Sequence, residues 1–71
     1  MKQGIYYIEW DTCDRRWEID PYAEGYESHL GEVQVQETSV GTLYFIYLDA
    51  VDPISAFVRG CNLIRDKMEG V

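Results

Sequence analysis

The chain has 71 residues, 46% of them hydrophobic and 14% aromatic. That is one small domain, residues 1–71, with too much apolar content for a disordered polypeptide. Thirteen acids against six bases give a net charge of −7, which opposes direct nucleic-acid binding, because phosphate affinity comes from neutralised backbone charge.

Residues 4–10, Gly-Ile-Tyr-Tyr-Ile-Glu-Trp, read as a first strand. Tyr6, Ile8 and Trp10 point one way, and Ile5, Tyr7 and Glu9 the other. Asp11, Thr12, Cys13 and Asp14 form a turn of residues that bond to their own backbone. Residues 16–20 return as a second strand, with Trp17 and Ile19 on one face and Glu18 and Asp20 on the opposite one, so the pair is an antiparallel hairpin. Pro21 is expected to stop that strand. Residues 22–31 carry two glycines and no clear period, and read as a surface loop. Residues 32–37 alternate strictly: Val33 and Val35 inward, Glu32, Gln34 and Gln36 outward. A turn at 38–41 leads into Thr42-Leu43-Tyr44-Phe45-Ile46-Tyr47-Leu48, a continuous apolar run expected to be buried on both faces or nearly so. Its alternation leaves open which set meets the rest of the core: Leu43, Phe45 and Tyr47, or Tyr44, Ile46 and Leu48.

The last element is a helix. Asp52 suits the N-cap and Pro53 the first helical position. Ile54, Phe57, Val58, Cys61, Ile64 and Met68 recur at three- and four-residue spacing as one stripe, expected to face the sheet, with Ala56 and Leu63 opposite. Arg65 and Lys67 lie near the negative end of the dipole, and Gly70 ends the helix. The order β-β-β-β-α, or β-β-β-α if the short second strand does not form, specifies an α+β fold: an antiparallel three- to four-stranded sheet with one C-terminal helix on one face.

No catalytic constellation is present. His29 is the single histidine, and Ser28, Ser39 and Ser55 have no evident base partner. Asp20, Asp49 and Asp52 lack calcium-loop spacing, and Cys13, Cys61 and His29 lack the spacing of a zinc site. No enzyme activity, cofactor or metal is therefore expected. Cys13 reads as an exposed free thiol and Cys61 as a packed one, since no secretion signal points to an oxidising compartment. Arg15 and Arg16 are expected to pair with Asp11 and Asp14 across the first turn. No apolar run reaches membrane-spanning length and the N-terminus lacks the form of a signal peptide, so a cytoplasmic, membrane-free, monomeric protein is expected.

The distribution of charge is more informative than its total. Between Trp17 and Val58 there is no Lys or Arg, while Glu18, Asp20, Glu24, Glu27, Glu32, Glu37, Asp49 and Asp52 all lie there. Strand alternation would gather Glu18, Asp20, Glu32 and Glu9 with Gln34 on the face away from the helix, with Glu24, Glu27 and Glu37 at its rim and Asp49 nearby. Such a surface suits a basic partner, above all a nucleic-acid-binding protein whose groove is lined for phosphate.

With those acids on a tiny α+β domain, the chain resembles the small acidic phage-encoded anti-CRISPR proteins, type I-C inhibitors among them, in character and not through a shared motif. The resemblance implies a DNA mimic in the host cytoplasm that blocks target-DNA binding by a CRISPR effector complex. The Tyr-rich first strand, Tyr6-Tyr7-Ile8-Glu9, and the Asp52-Pro53 corner are also similar to HicB-like antitoxin domains, which implies toxin inhibition instead. This chain is expected to have one strand more than those domains and no appended DNA-binding domain. Both readings are inhibitory protein–protein interactions.

Overall fold

A computed structural model of the chain describes residues 4–22 and 29–70. Four strands, β1 (Gly4–Asp11), β2 (Arg16–Tyr22), β3 (Gln34–Glu37) and β4 (Thr42–Ala50), precede one helix, α1 (Pro53–Met68). The sheet order is β2-β1-β4-β3 and every neighbouring pair is antiparallel. The α+β, β-β-β-β-α arrangement read from the sequence is the fold of the protein.

The two most apolar strands, β1 and β4, occupy the centre. Ile8 lies opposite Ile46 on one side and Ile19 on the other, and Tyr6 opposite Leu48. Alternation therefore stacks Ile8, Ile46 and Leu48 on one face, where they are fully buried with Ala56 and Ile64 of the helix. Trp10, Trp17, Ile19 and Tyr44 pack around them. This settles the face of β4: Tyr44, Ile46 and Leu48 meet the helix. The opposite face, with Leu43, Phe45 and Tyr47, is only half-buried, so β4 is not enclosed on both sides as its composition suggested.

Thr12 lengthens the β1–β4 ladder by one step. Its amide donates to the Thr42 carbonyl at 3.1 Å. Its hydroxyl donates to the same carbonyl at 2.9 Å and accepts from the Thr42 amide at 2.8 Å. The β1–β2 turn is thereby tied to the start of β4.

Three expectations are corrected. Pro21 does not end β2; it pairs with Tyr6 inside the strand, which is permitted because β2 is an edge and the proline nitrogen can face away from its neighbour. Strand β3 begins at Gln34 and not at residue 32. Val33 packs on the core from the segment before it, while Val35, on this short edge, is largely exposed.

The third correction concerns the helix face. Asp52 is the N-cap, accepting from the Ser55 amide at 2.7 Å, and Pro53 opens the first turn. The buried residues of α1, however, are Ala56, Gly60 and Ile64. Phe57 and Leu63 flank them as partly buried neighbours. Ile54 and Val58 are 76% and 54% exposed, and Met68 is also exposed. The reason is proximity: Ala56 and Gly60 have almost no side chain, so their side of the helix can approach the sheet most closely. Hydrophobicity scales favour the larger Ile54 and Val58, but close packing is won by the small residues.

Candidate interaction surface

The sheet face opposite α1 carries Glu9, Glu18 and Asp20 with Gln34, as alternation predicted, but not Glu32, which precedes β3 and is outside the sheet. The β1–β2 register sets Glu9 opposite Glu18 and Tyr7 opposite Asp20. The β1–β4 register sets Tyr7 opposite Tyr47, Glu9 opposite Phe45 and Ile5 opposite Asp49. Glu9, Glu18, Asp20 and Asp49 therefore share one face, and Gln34 joins it by pairing with Phe45. Successive side chains on one face of a strand are about 7 Å apart, so Glu18 and Asp20 make a regular short row.

An aromatic cluster lies among these carboxylates. Tyr7 stands 5.1 Å from Tyr47 and 5.8 Å from Phe45 between ring centroids, and Phe45 meets Tyr47 edge-on at 6.3 Å. Tilted and edge-on pairs of this kind stabilise one another beyond simple burial. The Tyr7 hydroxyl donates to Glu9 Oε1 at 2.5 Å. Burial first, then that hydrogen bond and the negative charge of Glu9, push the Tyr7 phenol well above its usual range. Tyr7, Asp20, Gln36, Phe45 and Tyr47 line a shallow depression of about 420 Å³.

The remaining acids are dispersed. Glu32 is exposed before β3, with a carboxylate oxygen 3.9 Å from His29 Nδ1. Glu37 pairs with Thr42, which puts it on the helix side of the sheet and not with Glu18 and Asp20. Asp52 is committed to the helix cap. Glu24 and Glu27 lie outside the described residues. Asp49 has a cation close by, for its carbonyl accepts from Arg59 Nη1 at 2.9 Å.

Among the described residues, one base, Arg16, stands on the acidic face. Arg16 Nη2 lies 3.6 Å from Glu18 and 3.9 Å from Asp14. The expected pairing of Arg16 with Asp14 is thus present. Asp11 instead accepts from the amides of Cys13 and Asp14 and shapes the turn. These exposed ion pairs contribute little to stability, but they partly neutralise one end of the row.

Among the described residues, no group of three or more His, Cys, Asp or Glu side chains is placed to hold a metal ion. Cys13 is exposed and Cys61 partly buried, and both are free. No helix of the described residues is long and apolar enough to cross a membrane. The residues that sequence reasoning underweighted are Phe45 and Tyr47. Their signal was the alternation of β4, readable only once the register with Tyr7 was known. Tyr44 packs against the core, and so does Leu63, which the helical spacing had put on the side away from the sheet.

The chain matches no family model, no curated protein and no solved structure.

Proposed function

We propose that this protein is an acidic protein–protein inhibitor. Its open sheet face occupies a basic, nucleic-acid-binding groove of a partner, as a DNA-mimicking anti-CRISPR would occupy the target-DNA channel of a CRISPR effector. The observation that supports this is the gathering of Glu9, Glu18, Asp20 and Asp49 on one face of the sheet. A rigid sheet holds carboxylates at fixed spacing before the partner arrives, so little ordering entropy is lost on binding. Lys and Arg that normally neutralise phosphate are met by these carboxylates, and the Tyr7–Phe45–Tyr47 cluster offers ring faces to their cationic heads. The protein acts by binding and exclusion, without catalysis.

The test is competition on a purified Cascade-type effector. Target DNA bound first should exclude the protein, and the protein bound first should exclude DNA. Glu18→Lys combined with Asp49→Lys should weaken association about tenfold or more, while Glu37→Lys, on the other side of the sheet, should leave it nearly unchanged. Simultaneous binding of protein and DNA, or equal loss from both sets of reversals, rules out a mimic that uses this face. Failure to bind any CRISPR effector, with capture of a toxin instead, replaces the anti-CRISPR assignment by the antitoxin one.

A further inference from the structure

We propose that two copies of this chain associate through the outer edge of β2, which no described residue pairs with, in one specific antiparallel register, to give a continuous eight-stranded sheet. The monomer expected from the sequence is then the dissociated form.

The hydrogen-bonding phase of the sheet determines which groups β2 offers. The Thr12 amide bonds to the Thr42 carbonyl, and the Gly31 amide to the Tyr47 carbonyl. Even-numbered residues of β1 therefore face β4, and odd-numbered residues of β4 face β3. Each strand alternates, so the odd-numbered residues of β1 face β2, and through the pairs Tyr7–Asp20 and Glu9–Glu18 the even-numbered residues of β2 face β1. What remains on the outer edge is the backbone of Trp17, Ile19 and Pro21. Pro21, without an N–H, falls on the outer side, as an edge proline must.

A second β2 can pair with this edge only where its own donors and acceptors also point outward. Five registers satisfy the alternation of faces over at least three residues. If Pro21 faces Pro21, the overlap is three residues and neither proline has an N–H to donate. If Ile19 faces Ile19, two Glu18–Asp20 pairs oppose each other and each Trp17 carbonyl meets a proline with no N–H. If Ile19 faces Pro21, Asp20 meets Asp20 and the proline again removes donors. If Trp17 faces Trp17, the overlap shrinks to three residues. If Trp17 faces Ile19 of the other copy, both residues exchange both backbone bonds, four in all, and Pro21 lies beyond the ladder.

The same register is favoured by charge. Arg16 then lies directly opposite Asp20 of the second copy, twice by symmetry, and opposite-charge cross-strand pairs stabilise a sheet. Glu18 meets Glu18 on the two-fold axis, but each is already bridged by its own Arg16 at 3.6 Å. At physiological ionic strength the Debye length is about 8 Å. Contacts between opposed side chains are felt within that distance, while most of the repulsion between two chains of charge −7 is screened.

The helix side of the same edge is apolar. Ile19, Pro53, Ile54, Phe57 and Val58 line a groove of about 260 Å³ beside β2. Ile54 and Val58 are the residues that the helix leaves uncovered at 76% and 54% exposure. Trp17 of the second copy, opposite Ile19 on the helix side, comes down beside this groove. Edge strands are normally protected by charges and proline. Here Pro21 and the alternating charges disfavour the registers that include the proline, and the length of overlap decides between the two that do not.

The isologous geometry supplies a charge-swap test. Arg16 and Asp20 are four residues apart on one strand, about 13 Å, so within a chain they do not touch. In sedimentation equilibrium, Arg16→Asp and Asp20→Arg should each raise the dimer dissociation constant about tenfold or more. The double swap should restore it to about the wild-type value. Hydrogen exchange should show the Trp17 and Ile19 amides slowing as protein concentration rises, with the Glu18 and Asp20 amides unaffected. Val58→Glu provides an independent variant at an exposed position, and it too should dissociate the dimer. A chain that stays monomeric at millimolar concentration overturns the proposal. So does a dimer in which the swap gives no rescue, or one in which Trp17 and Ile19 gain no protection.

Discussion

Gly60 of the helix lies directly over Ile8 of the central strand. A Cβ placed on Gly60 would stand 3.0 Å from Ile8 Cγ1, 3.1 Å from its Cβ and 3.2 Å from its Cδ1. Ile8 is fully buried, so it has no room to withdraw. Glycine inside a helix ordinarily destabilises it by about 1 kcal/mol relative to alanine. Here the close approach outweighs that propensity. Gly60→Ala should lower stability by about 1 kcal/mol net, since overpacking typically costs 1–3 kcal/mol. Urea melts give the value, and a stabilised variant would show that the helix stands further from the sheet.

The helix face makes a sharper test because composition and packing disagree about it. Ile64→Ala should cost about 2–5 kcal/mol, as expected for a fully buried aliphatic side chain. Ile54→Ala, measured at a concentration where the chain is monomeric, should change stability by less than about 0.5 kcal/mol. Phe57 is half-buried and meets Trp17 edge-on with centroids 5.8 Å apart. Phe57→Ala should fall between them, at about 2–3 kcal/mol, below the 3–5 kcal/mol of a fully enclosed ring. Equal losses at positions 54 and 64 would return the buried stripe to the one the hydrophobic pattern suggested.

Tyr7 gives the sheet an alkaline limit. Its phenol is raised from the usual 10.0 by burial and by the bond to Glu9. In the unfolded chain it ionises near 10, whereas in the folded protein it stays protonated to higher pH. Its contribution to stability is therefore complete below pH 10 and is lost progressively as pH rises above that value. Absorbance titration at 295 nm should show one tyrosine ionising only with unfolding, and Tyr7→Phe should flatten the alkaline fall in stability. An unchanged pH dependence in that variant would assign the alkaline loss of stability to another residue.

The two thiols should behave unequally. Cys13 is exposed in the first turn. Cys61 is partly buried, and desolvation raises its thiol while Arg65 pulls it the other way. A thiol reagent at pH 8 should modify Cys13 quickly and Cys61 much more slowly, because the thiolate is the reactive form. Denaturant should abolish the difference. Equal rates in the folded state would contradict the packing of α1.

The sequence by itself determined the elements and their kind. Alternation in β1 and β3, the β-branched and aromatic run of β4, and the Asp52-Pro53 start of α1 are local signals, set by backbone geometry and solvation within a few residues. They also determined that Glu18 and Asp20 would share a face of β2, because a strand has a period of two; that Glu9 joins them follows from the β1–β2 register. The tertiary structure decided what depends on distance between elements. Which face of β4 meets the helix, and whether Ala56 and Gly60 or Ile54 and Val58 touch the sheet, follow from how closely two surfaces can approach. Hydrophobicity does not encode that distance; side-chain volume does. Glu37 was separated from the other acids, and Phe45 and Tyr47 were joined to Tyr7, by cross-strand register, which is fixed by turns and core contacts far apart in the chain.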